Sequence, residues 1–129
     1  ILGNNPDYIQ RDRNVFYLGH MPHEICLQIY SIASWFIHLA WIDHCPNVVV
    51  EALSQNCPVI CSDSGGTKEI VGSNGVMIPE KNPYNFELVD YDKPFDIDIE
   101  INDLPNIVVK NSHLDIELVY SKYMELFTR

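Results

Sequence analysis

The chain has 129 residues, enough for one domain that buries roughly two-thirds of the surface its unfolded chain exposes. With 47% hydrophobic and 20% charged residues, and only 6 Gly and 8 Pro, it is not a disordered, collagen-like or low-complexity chain. Eighteen acidic against 8 basic residues give a net charge of −10, which argues against nucleic acid and against an anionic membrane surface as partners.

In chain order, Ile1-Leu2-Gly3 reads like the end of a strand, so the chain looks like part of something longer. Asn14 to Leu18 is apolar and β-prone and stops at Gly19. From Pro22 a helical pattern follows, with Ile25, Cys26, Ile29, Tyr30 and Ala33 on one face. Ser34 to Leu39 is a short unbroken apolar run, as in a parallel strand buried on both faces. Asp43-His44-Cys45-Pro46-Asn47 is a polar turn, and a second helix is expected from about Pro46 to Gln55. Asn56 stands where that helix should close in the left-handed conformation. Pro58 to Cys61 reads as a strand, Thr67 as the cap of a short helix through Val71, and Val76 to Ile78 as a further strand. Strand, loop and helix in repetition predict an α/β, Rossmann-like parallel sheet with flanking helices and right-handed crossovers.

After Pro79 the character changes. Residues 87–103 carry 7 of the 18 acids and a single Lys, so they read as a solvated edge or loop. Calcium is disfavoured there, because the EF-hand glycine and closing glutamate are lacking. Ser112 to Phe127 is an amphipathic helix, with Ser112 as N-cap and Asp115 completing a weakened capping box. The organisation expected is thus 1–80 as the ligand-binding α/β part, 81–111 as an acidic connection and 112–129 as a terminal helix. No apolar run is long enough to span a bilayer and no signal-peptide pattern is present, so a cytoplasmic protein is expected. Cys26, Cys45, Cys57 and Cys61 form no C-x-x-C pair; free thiols are expected, and no metal site.

In an open parallel sheet, ligands bind outside the carboxyl ends of the strands. Gly19-His20-Met21, Ala40 to Asn47 and Ser62 to Gly66 fall there. The second helix starts in this crevice, and its free N–H groups suit a phosphate. Asp43 and Glu51 bracket that start with seven residues between them. Carboxylates so placed accept hydrogen bonds from neutral hydroxyls such as those of a sugar; alternatively, Asp43 only caps the turn and Glu51 is a solvated helix residue.

Five collinear segments resemble one family: Phe16-Tyr17-Leu18-Gly19; Ile29-Tyr30-Ser31-Ile32-Ala33-Ser34; Asp43 with seven residues to Glu51-Ala52; Asn56-Cys57-Pro58-Val59-Ile60; and Gly65-Gly66-Thr67-Lys68-Glu69-Ile70-Val71. Together they resemble the donor-binding half of a GT-B glycosyltransferase of family 4, the "glycosyl transferases group 1" type. The resemblance implies a retaining hexosyltransferase that uses a nucleotide-sugar and needs neither metal nor another cofactor. It implies that Glu51 binds the ribose hydroxyls and that Asp43, in place of a glutamate, touches the transferred sugar. His44, Cys45, Asn47 and Val48 occupy the turn whose backbone meets the diphosphate, and Pro46 has no N–H to give. Gly19 and Met21 fall where the base is recognised, and Gly65 and Gly66 where a loop approaches the ligand. The family's Arg and Lys for the phosphates have no counterpart here. The first, central strand and the N-terminal acceptor-binding domain are absent as well, so the piece is expected to be inactive alone. The alternative is a non-catalytic nucleotide-binding or interaction domain of the same descent. A dehydrogenase-type domain is disfavoured, because no G-x-G-x-x-G follows a strand. The base, the sugar, the acceptor and the oligomeric state are not legible.

Overall fold

The computed structural model describes residues 13–40, 42–80, 103–110 and 114–128. The elements are α1 (His23–Ile32), β1 (Phe36–His38), α2 (Asn47–Ser54), β2 (Val59–Ser62), α3 (Thr67–Val71), a 3-10 turn (Gly72–Asn74), β3 (Gly75–Ile78) and α4 (Ile116–Phe127). The three strands form one parallel sheet in the order β1-β2-β3. Phe36 lies opposite Val59 and His38 opposite Cys61, while Val59 to Ser62 lie opposite Gly75 to Ile78. This is the expected α/β, Rossmann-like architecture, a parallel sheet flanked by helices.

The core explains the order of the sheet. All four residues of β2 are buried, as its central place requires. One face of α2 seals it with Val49, Ala52 and Leu53, each 0% exposed. Tyr30 of α1, Cys57, Val59, Cys61 and Val71 complete the cluster, with Cys26, Leu27, Ala33 and Phe36 packed around it. Burying each large aliphatic side chain contributes about 1.5–3 kcal/mol. β1 is not buried on both faces as its apolar run suggests: it is a margin of the described sheet, and Ile37 is 50% exposed.

Two helix ends follow their sequence closely. Pro22 and Pro46 stand at the N-caps of α1 and α2, where the absent N–H costs nothing. At the other end of α2, Asn56 takes φ 61°. Its N–H donates to Leu53 C=O and that of Cys57 to Ala52 C=O, each at 3.0 Å. That pair of bonds is a Schellman closure. Asn74, 2% exposed, ties the 103–110 segment down: its Nδ2 donates to Lys110 C=O at 3.1 Å and its Oδ1 accepts from Lys110 N–H at 2.7 Å.

Three local expectations are corrected. Asn14 to Leu18 forms no strand; only Gly19 makes an isolated bridge, and the segment is not part of the three-stranded ladder. Thr67 does not cap α3: Gly66 is the N-cap, and the Thr67 hydroxyl is turned to Asp43 C=O at 3.4 Å. The last helix starts from Asp115, whose Oδ1 accepts from the Glu117 and Leu118 amides at 2.9 and 3.3 Å. Ser112 and nearly all of the acidic segment 87–103 lie outside the described residues.

Burial pushes the thiols of Cys57 and Cys61 above the ordinary 9.0, with the Asp63 carboxylate adding to the latter. Burial and then the Glu51 carboxylate push the Tyr30 phenol above 10.0. The unfolded chain therefore releases these protons first, and stability falls as pH rises through the ordinary values toward the raised native ones. The urea midpoint is expected to decline from pH 9.0 upward, and Tyr30→Phe to flatten the part beyond 10.0. Separately, Asn56→Val forces a β-branched residue into the left-handed region and is expected to cost about 1–2 kcal/mol in urea unfolding, while Asn56→Gly costs nothing.

Candidate functional site

Two loops meet at the carboxyl ends of β1 and β2, and their meeting builds the site. The Gly66 N–H donates to Asp43 C=O at 2.9 Å, joining the loop after β2 to the turn before α2. Neither contact glycine has room for a side chain. A Cβ on Gly65, which holds φ +68°, would strike Asp43 C=O, and one on Gly66 would strike His44 C=O. Serines brace the same turn. The Ser62 hydroxyl donates to Ala40 C=O at 3.1 Å, and the Ile42 N–H donates to Ser64 Oγ at 3.2 Å. Ser62 and Ser64 lie 2.8 Å apart; Ser62 has already given its one proton to Ala40, so Ser64 donates to Ser62.

Ile42 itself holds φ 51°. A β-branched residue there is strained, of order 1–3 kcal/mol, and such strain persists only where the surroundings enforce it. The sharp turn brings Asp43 back toward β1, where its Oδ2 lies 3.2 Å from His38 Nε2. An ionised carboxylate only accepts, so the Nε2–H form of His38 donates. The pair is half-sheltered, with 15% of the His38 and 35% of the Asp43 side chain exposed.

Next in the chain, His44 and Cys45 are exposed on the turn, and Pro46 begins the helix. Pro46 C=O accepts from the Val49 and Val50 amides at 3.0 and 3.4 Å. Helix geometry gives the amides of Asn47 and Val48 no carbonyl within the helix, and among the described residues no side-chain cap meets them, Pro46 as N-cap offering none. Both amides thus stand at the positive end of the helix dipole. Glu51 follows one turn later. Its Oε1 lies 3.3 Å from His23 Nε2 at the start of α1. Met21 is just before that start, and its C=O accepts a weak bond from the Cys26 thiol at 3.8 Å. Gly19 holds φ +69° in the same loop.

The structure therefore brings Asp43, His44, Gly65 and Gly66 into direct contact and sets Asn47, Val48 and Glu51 on the adjoining helix. A cavity of about 500 Å³ is beside this turn rather than over it. Ile29, Tyr30, Phe36 and His38 line it, and Val48 is the sole expected site residue that does. Sequence reasoning missed His38, His23, Ser62 and Ser64. A His and an Asp five residues apart across a strand end, and a Ser-x-Ser at the next strand end, were the available signals.

An open parallel α/β sheet with a helix start and two loops at its carboxyl edge is a ligand-binding architecture. The chain belongs to the Glycosyl transferases group 1 family, whose model matches residues 10–88. It is 30% identical over 67 residues to O-antigen chain mannosyltransferase B of Escherichia coli, a match that covers 52% of this chain. That match spans 18% of the relative's length. No solved structure matches the chain. Among the described residues, no helix is long and apolar enough to cross a membrane.

Because the loops touch backbone to backbone, Gly66→Ala is expected to displace the turn at His44. Amide NMR shifts of residues 42–45, 47 and 48 should move while those of β3 and α4 stay in place; unchanged shifts at those six residues would refute the contact.

Proposed function

We propose that this chain is the donor-binding part of a retaining, GT-B-type glycosyltransferase that takes a sugar from a nucleotide-sugar. The observation that carries the reading is the juxtaposition of the Asp43 turn, held by Gly66, with the open start of α2 at the strand carboxyl ends. The diphosphate sits against the Asn47 and Val48 amides, within the turn formed by His44 and Cys45. Glu51 accepts from ribose hydroxyls, Gly19 and Met21 border the base, and Asp43 accepts from a hydroxyl of the sugar. In transfer, the bond from the anomeric carbon to the phosphate oxygen breaks and its electron pair leaves with the diphosphate. The acceptor's hydroxyl oxygen bonds that carbon and gives up its proton to the oxygen of the departing diphosphate. Oriented amides and the helix dipole stabilise the charge that develops on the leaving group, and no metal is required. The acceptor is held by a further domain of the same protein. A hexose is the sugar to test first, and mannose leads because the E. coli relative is a mannosyltransferase.

The second reading, a nucleotide-binding domain without catalysis, draws on Asp43 standing where the family has the longer glutamate. The two separate in an assay of nucleoside diphosphate release from GDP-mannose and UDP-, GDP- and ADP-glucose by the full-length protein. Nucleoside diphosphate binding without turnover of any donor would favour the second.

Glu51→Ala is expected to weaken nucleoside diphosphate binding by about 1.5–3 kcal/mol in calorimetry, the range for a charged hydrogen bond. Asp43→Asn should lower turnover and leave that affinity within error. Unchanged affinity in the first variant, or a matching fall of both quantities in the second, would count against these roles.

A further inference from the structure

We infer that His38 is a positioning residue for Asp43: it takes one carboxylate oxygen so that the other is aimed at the sugar. The inference rests on the proposed role of Asp43. His38 Nε2 lies 3.2 Å from Oδ2, whereas among the described residues Oδ1 accepts no hydrogen bond. Among the described residues, one oxygen is thus occupied and the other is left open.

The imidazole is well placed to orient rather than to react. It is the last residue of β1, in register with buried Cys61 of β2. Its ring stacks on Phe36, with centroids 6.1 Å apart and an angle of 27° between planes. Phe36 in turn meets the buried Tyr30 edge-on at 5.2 Å. Tyr30, Phe36, His38 and Asp43 therefore form a continuous chain from the core to the turn. The turn's main chain is fixed independently, by Gly66 N–H on Asp43 C=O and by Ser64 on Ile42 N–H. With the backbone held from the β2 side, the two side-chain torsions are the freedom left to Asp43, and the bond from His38 restricts them. A charge-assisted hydrogen bond of this kind gives direction as well as energy. The aspartate side chain is one methylene shorter than the glutamate it replaces, so a fixed direction matters more here.

The test uses the full-length protein with whichever of the four donors above it turns over, and calorimetry with UDP and GDP. His38→Leu is expected to lower kcat at least about tenfold, the scale of one lost charge-assisted bond, while donor KM and nucleoside diphosphate affinity stay within about twofold. His38→Gln keeps an N–H donor and should restore most of kcat. The double variant His38→Leu/Asp43→Asn should be no slower than Asp43→Asn alone. Independently of turnover, imidazole 15N shifts should show His38 in its Nε2–H form, and Asp43→Ala should release it to a tautomer mixture. If Asp43→Asn lowers kcat and His38→Leu does not, or if Gln and Leu fall equally, the positioning role is overturned. A mixed tautomer in the unaltered protein overturns it as well, even where no donor is turned over. If Asp43→Asn leaves kcat unchanged, it is the proposed role of Asp43 that fails.

Discussion

The site depends on a contact between two main chains. Gly66 N–H reaches Asp43 C=O at 2.9 Å because residues 65 and 66 carry no Cβ to hold the loops apart. That approach fixes the depth of the turn between β1 and α2. The Ser62 and Ser64 hydroxyls satisfy the polar groups the turn would otherwise leave without partners at the strand ends. It also accounts for Ile42 at φ 51°, a conformation that a free loop with a β-branched residue would abandon. Side chains of the turn then hang from a backbone already placed.

The same placement is carried into the core by α2. One face of the helix is sealed against β2 by Val49, Ala52 and Leu53 at 0% exposure, and its far end is locked by the left-handed Asn56. The helix start cannot drift without opening that packing. The amides of Asn47 and Val48 and the carboxylate of Glu51 are accordingly presented by a rigid element and not by a loop, the condition under which a binding constellation keeps its geometry.

Much of this was legible in the sequence, for physical reasons that differ by element. β2 and α2 were read well because their apolar patterns are satisfied within the chain itself, and Asn56 because few residues other than glycine enter the left-handed region readily. Asn14 to Leu18 has the composition of a strand, but a strand exists only with a ladder partner, and this segment is not among the strands of the described sheet. β1 was expected to be buried on both faces for the same reason; composition cannot tell a central strand from a marginal one. Asp115 took the cap expected of Ser112, since either residue can accept amide bonds and the pattern alone does not choose. At the site, the residue types and spacing announced Asp43 and Glu51. The positive φ of Ile42 had no signal at all, because nothing local favours it.

The histidines were overlooked because each acts across a gap in sequence, His38 on Asp43 and His23 on Glu51, at 3.2 and 3.3 Å. Their distribution bears on how an acidic chain can offer an anion site. Like charges at about 4 Å repel by about 4 kcal/mol at an effective dielectric near 20, so a carboxylate turned toward a diphosphate would undo much of what a helix start contributes. Under the proposed reading, the remedy is directional. Each carboxylate has one oxygen engaged by an imidazole, Asp43 from β1 and Glu51 from α1. The two pairs tie the carboxylates to different elements, while the Asn47 and Val48 amides belong to the helix start itself. The anion-binding character of the turn then depends on where the acids are held.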